Sequence, residues 1–120
     1  MKEEREYKKW IGRLFKKYQS VLFLDKYHLK IEKEKDGYLA SKFNYPYLDI
    51  TIEYSEDSLK DWVKNKRDAE RRMIHEFCHS ITDPFYSVVL DFPSKKALEN
   101  ERERLTDHIA QIVNKHFNLL

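Results

Sequence analysis

The sequence predicts an α+β fold, and three observations predict it. Long stretches at both ends repeat apolar residues at helical spacing. A stretch before the middle alternates apolar and polar residues with period two, as half-buried strands do. Between this stretch and the last helix lies His75-Glu76-Phe77-Cys78-His79 in a helical pattern of its own. The expected architecture is an N-terminal helix, a three-stranded antiparallel meander, a helix bearing the His-Glu-x-x-His motif, and a C-terminal helix. At 120 residues the chain has the size of one domain, spanning 1–120.

Residues 4–22 read as the first helix, with Tyr7, Trp10, Ile11, Leu14, Phe15, Tyr18, Val21 and Leu22 on one side. Lys8, Lys9, Arg13, Lys16 and Lys17 take the other positions and read as a solvated face. From His28 to Glu32 the period becomes two. Asp36-Gly37 signals a tight hairpin, because both residues accept positive φ. A second strand follows from about Tyr38 to Phe43, and Pro46 fits only a turn or an edge. Tyr45 and Tyr47 beside it suit either turn packing or a binding lip. Leu48, Ile50, Ile52 and Tyr54 then alternate with polar residues and form the third strand.

Ser58 with Asp61 loosely fits a capping box. A helical pattern runs on through Trp62, Val63, Ala69, Met73 and Phe77 to Ile81, with a break near Asn65. Thr82-Asp83-Pro84 should end it, since a residue before proline avoids the helical region. Residues 84–96 fit a loop or a short helical extension. The last helix runs from about Lys96 to Phe117, with Leu98, Leu105, Ile109, Ile112, Val113 and Phe117 as its apolar side.

In the motif helix, Ile74, Phe77, Cys78 and Ile81 follow the i, i+3, i+4, i+7 spacing of a core-facing stripe. Cys78 therefore reads as a buried packing residue. At about 100° per residue, His75 and His79 fall beside that stripe, one turn apart on one flank. Two imidazoles so placed can grip one metal ion, and Glu76 beside them can take a proton from water. Zinc suits such a site, because it accepts neutral imidazole and works with three protein ligands plus water.

Two histidines need a third ligand. Asp83 is opposed by geometry: positions 75 and 83 lie about 12 Å apart along a helix, against metal–ligand distances of about 2 Å. It reads instead as the end of the helix. The closing helix offers Glu99, Glu101 and Glu103 near its start, with Asp107 and His108 one turn later. Glu103 and Asp107 share a face at i, i+4, so one could bind metal while the other orients a ligating imidazole. Glu101 is the rival, sharing a side with Leu98, Leu105 and Ile109.

His75-Glu76-x-x-His79 together with Glu103-Arg104-Leu105-Thr106-Asp107 resembles the gluzincin zinc metallopeptidases. Their third ligand is a glutamate on a later helix, followed four residues on by an aspartate. The order of elements also resembles small zincin-like proteins of bacteria and their phages. The resemblance implies a Zn2+ site of His75, His79 and Glu103, with Glu76 as general base and Asp107 behind a ligand. It implies hydrolysis of a peptide or protein substrate, and a strand such as Leu48–Ser55 pairing with an extended peptide. Only 23 residues separate His79 from Glu103, so the chain lacks the substrate-binding subdomains of larger peptidases. The family's transition-state histidine or tyrosine has no clear counterpart, with Tyr86 and His108 as the candidates.

Two other functions stay open. One is a catalytically silent binding module on the same scaffold, docking to a protein partner. The other is a nucleic-acid-associated protease using the N-terminal lysines and Arg67, Arg71 and Arg72. A net charge of +2, from 23 basic and 21 acidic residues, argues against the latter. Cys78 is the only cysteine, so no internal disulfide can form. The charged N-terminal stretch lacks a secretory-signal pattern, and no apolar run approaches the roughly 20 residues of a membrane helix. A cytoplasmic setting without membrane contact is the expectation.

Overall fold

The computed structural model describes residues 2–44, 48–88 and 95–119, leaving aside the side chains of 84–88, 95 and 97. Tyr45 and Tyr47, read as turn packing or a binding lip, and the side chain of Tyr86, a transition-state candidate, lie outside the described residues. Along the chain come α1 (Lys2–Tyr18), β1 (His28–Lys33), β2 (Leu39–Asn44), β3 (Asp49–Tyr54), α2 (Glu56–Lys64), α3 (Lys66–Val88) and α4 (Lys95–His116). The fold is α+β. Among the described residues, no helix is long and apolar enough to cross a membrane.

α1 buries the side its spacing marks: Tyr7, Trp10, Ile11, Leu14, Phe15 and Tyr18. It ends at Tyr18, one turn before the expected Leu22. The chain then turns, with Phe23 at φ 59° and 84% exposed, and Val21 leaves the core. Tyr7 stacks edge-on against Tyr54 at 5.2 Å and lies 5.2 Å from Trp62, joining α1, β3 and α2 in one aromatic cluster.

The sheet corrects the expected antiparallel meander. Its order is β1-β3-β2, with β1 parallel to β3 and β2 antiparallel to it. Asp36-Gly37 therefore does not join paired neighbours, although Gly37 does adopt φ 80°. β3 takes the centre because it carries the most apolar inward set: Ile50, Ile52 and Tyr54 are fully buried. Residues 34–38 bridge from one edge of the sheet to the other, about 9.6 Å across two strand spacings. With a bonded neighbour on each side, β3 cannot accept a peptide strand. The edge beside α3 belongs to β2.

α2 begins one turn earlier than Ser58. Ser55 is its N-cap and Ser58 occupies N3: each side chain accepts from the other's backbone N–H, at 3.1 and 3.0 Å. The predicted break at Asn65 is present. Asn65 leaves helical geometry and its Oδ1 accepts from Asp68 N, capping the start of α3.

α3 does not stop at Thr82-Asp83-Pro84 but continues to Val88. A proline removes one backbone N–H from the ladder. Packing against α4 holds this turn: the Thr82 and Thr106 hydroxyls meet at 2.7 Å, both buried. Among the described side chains of α4 the buried ones are Thr106, Ala110, Val113 and Asn114, whereas Leu105 and Ile112 are exposed. The expected apolar side of α4 is thus only partly its buried side. Likewise Ile81 on α3 is 45% exposed, while Ile74, Phe77 and Cys78 are sealed in the core.

Candidate metal centre

Burial of Ile74, Phe77 and Cys78 turns the neighbouring flank of α3 toward α4 and the β2 edge. His75 and His79 stand there with ring centroids 5.0 Å apart and rings nearly perpendicular. Glu103 on α4 reaches both: its Oε2 lies 3.2 Å from His75 Nε2 and its Oε1 3.6 Å from His79 Nε2. Ligand atoms of these three residues all fall within 4.8 Å of one another.

The far nitrogen of each ring is also held. His75 Nδ1 lies 2.6 Å from Asp107, and His79 Nδ1 lies 2.9 Å from Asp83. In a neutral ring, a carboxylate on Nδ1 keeps the proton there and leaves Nε2 free for a cation. Each Nε2 faces the Glu103 carboxylate. His75, His79 and Glu103 thus bring two imidazole nitrogens and a carboxylate to one point, a donor set that could hold a metal.

Glu76 is 8% exposed beside this cluster. Burial pushes its carboxyl above the ordinary carboxylate range, against the opposing influence of His79, His75 and the Ser41 hydroxyl. Ser41 on β2 reaches Glu76 Oε1 at 3.0 Å and the Glu76 carbonyl at 3.1 Å. Burial draws the His79 imidazole down, but Asp83, Glu76 and Glu103 outweigh it and the net direction is up. A cavity of about 260 Å³ lies over the cluster, walled also by Arg102.

Asp107 stands where the i, i+4 reading put it. Asp83 is repositioned: it does not end α3 but backs His79, a relation its i+4 spacing from that histidine already carried. Glu101 faces away and pairs with Arg104 at 2.9 Å. His108 is exposed and is not a member of the cluster. Cys78 is a core residue whose thiol burial pushes up to about 12. Ser41 was not foreseen. Its signal is a small polar residue in line with Leu39 and Phe43 on the inward face of β2. A second acidic trio, Glu32, Glu34 and Glu53, lies on the sheet, and Lys42 pairs with Glu53 at 3.3 Å.

Comparison of the chain with protein-family models, curated proteins and solved structures finds no match.

Proposed function

We propose that the chain is a zinc-dependent metallopeptidase whose ligands are His75, His79 and Glu103. One observation carries the reading: two Nε2 atoms and one carboxylate converge, each imidazole is backed by its own aspartate, and a buried glutamate stands beside them. Two imidazoles and one carboxylate match the donor set of hydrolytic zinc sites. Zinc there would polarise a scissile carbonyl and lower the pKa of water.

The chain's own residues supply the rest. Glu76 accepts the proton of the attacking water and passes it to the leaving amine nitrogen. Burial keeps its carboxyl basic enough for that exchange, and Ser41 fixes its orientation. Asp107 and Asp83 hold the two rings in the ligating tautomer. The β2 edge, which carries Ser41, offers backbone groups to an extended peptide.

The test combines elemental analysis with a broad peptide library. Purified protein should carry one zinc, and chelation should abolish cleavage. Glu76→Gln should keep the metal and lower the rate about 10²–10⁴-fold. Full hydrolysis by zinc-loaded Glu76→Gln would refute the mechanism. Zinc binding without cleavage of any peptide would favour the binding module instead.

A further inference from the structure

Charge is spread unevenly over the molecule. α1 holds seven basic and three acidic side chains, a surplus of four, whereas the whole chain has a surplus of two. The remainder is therefore net acidic. On α1, Lys2, Arg5, Lys9, Arg13 and Lys16 recur at intervals of three and four residues. At about 100° per residue they fall within an arc of about 80°, opposite the side that buries Tyr7, Ile11, Leu14 and Tyr18. All five are exposed, and none forms an ion pair among the described residues. The two basic residues off the row are engaged: Lys17 pairs with Glu70 at 3.0 Å, and Lys8 lies over the Tyr54 ring. Glu6 borders the row. At about 1.5 Å of rise per residue the five cations line about 21 Å of the helix.

A line of cations without answering carboxylates attracts a polyanion. Polyanions differ in what else they need. Single strands are held by bases stacking on exposed aromatic rings. The rings of α1, Tyr7, Trp10, Phe15 and Tyr18, are all buried. A lipid surface holds a basic helix whose apolar residues insert beside the charges. The large apolar side chains of α1 are taken up by the core. A duplex needs neither, because its phosphates accept lysine and arginine directly. With one phosphate per about 3.4 Å on each strand, the row spans about six of them. Other arginines marked in the sequence for nucleic acid are occupied. Arg67 donates to the Leu119 carbonyl at 3.1 Å, and Asp68 pairs with Arg71 at 3.0 Å and with Arg72 at 3.1 Å.

We propose that the exposed row on α1 is a docking surface for the phosphate backbone of a nucleic-acid duplex, held without reading sequence. A net charge of +2 conceals it, because the acidic surplus lies on other elements. The row shares no residue with the metal centre, so docking and peptide hydrolysis can fail independently.

The experiment follows the fluorescence anisotropy of a short labelled DNA duplex titrated with full-length protein. Five phosphate contacts should give a slope of about −4.5 in log K against log salt, a loss of about 500-fold between about 50 and 200 mM NaCl. Lys9→Glu combined with Arg13→Glu should weaken binding at low salt by about tenfold or more and flatten the slope by about two. Lys30→Glu combined with Lys35→Glu makes the same change of charge at exposed lysines off the row, and should cost about threefold or less. A side chain at Gly12 meets nothing within 4 Å, so Gly12→Glu sets a carboxylate beside Lys9 and Lys16 without removing a contact. It too should weaken the duplex complex. Phe23, exposed just past α1, would be the anchor on a lipid surface, and Phe23→Ser should leave duplex binding unchanged. Four outcomes overturn the proposal: no duplex binding at low salt, equal loss in the Lys30 and Lys35 variant, tighter binding to a single strand of the same length, or tighter binding to vesicles of phosphatidylcholine and phosphatidylserine.

Discussion

At the residue scale, the centre depends on side chains that need not touch a metal. Asp107 and Asp83 each hold one imidazole through Nδ1, at 2.6 and 2.9 Å. Removing either would free a ring to rotate and let a proton settle on the nitrogen proposed to bind zinc. Asp83→Ala and Asp107→Ala should each weaken zinc binding about 10–100-fold, measured by competition with a chromophoric chelator. Glu101→Ala should leave the affinity unchanged, because Glu101 pairs with Arg104 and stands outside the His75, His79 and Glu103 cluster. Tyr38 makes a separate prediction. Burial and its hydrogen bond to Asp61 push its hydroxyl up to about 12, against the lowering influence of Arg72. A raised folded-state pKa means the contribution is whole below pH 10 and is lost as pH climbs from 10 to 12. Urea midpoints across that range should fall more steeply for the native chain than for Tyr38→Phe.

At the element scale, the starts of α2 and α3 and the passage of α3 through Pro84 each follow from particular polar contacts. Ser55 and Ser58 cap α2 reciprocally, and both side chains are buried. Ser55→Ala should cost about 1 kcal/mol by chemical denaturation, the usual loss for a removed N-cap. α3 passes the proline that local preference marks as its end. The Thr82–Thr106 hydroxyl pair and the His79–Asp83 bond act on the same turn and keep it helical. Local propensity loses there to tertiary contact, and the extra turn brings Asp83 against His79.

At the scale of the whole molecule, the candidate ligands lie on two successive helices, so a bound cation would tie α3 to α4. Zinc at a hundredfold excess over its Kd should add about 2.7 kcal/mol of stability. That corresponds to a rise in Tm of roughly 10 °C for a chain of this size. Differential scanning calorimetry should show the rise in the native chain and in Glu101→Ala, and lose most of it in Glu103→Ala. An unchanged rise in Glu103→Ala would remove Glu103 from the site.

Much of this was legible beforehand for a physical reason: periodicity reports which face of an element is apolar. The Tyr7–Tyr18 stripe, the break at Asn65 and the flank carrying His75 and His79 all follow from spacing along a single helix. So does the pairing of Glu103 with Asp107, which needs only the rule that residues four apart share a face. Strand order does not follow from spacing. The alternation in β1, β2 and β3 marks inward residues equally well in a meander or in the observed mixed sheet. Competition for the centre, which β3 wins with Ile50, Ile52 and Tyr54, chose between them. The role of Asp83 and the Ser41 contact with Glu76 likewise arise between elements. By itself, the sequence determined the α+β class and the side chains able to act together within each helix. Tertiary structure alone decided which elements meet, because that choice rests on packing among faces that local patterns leave equivalent.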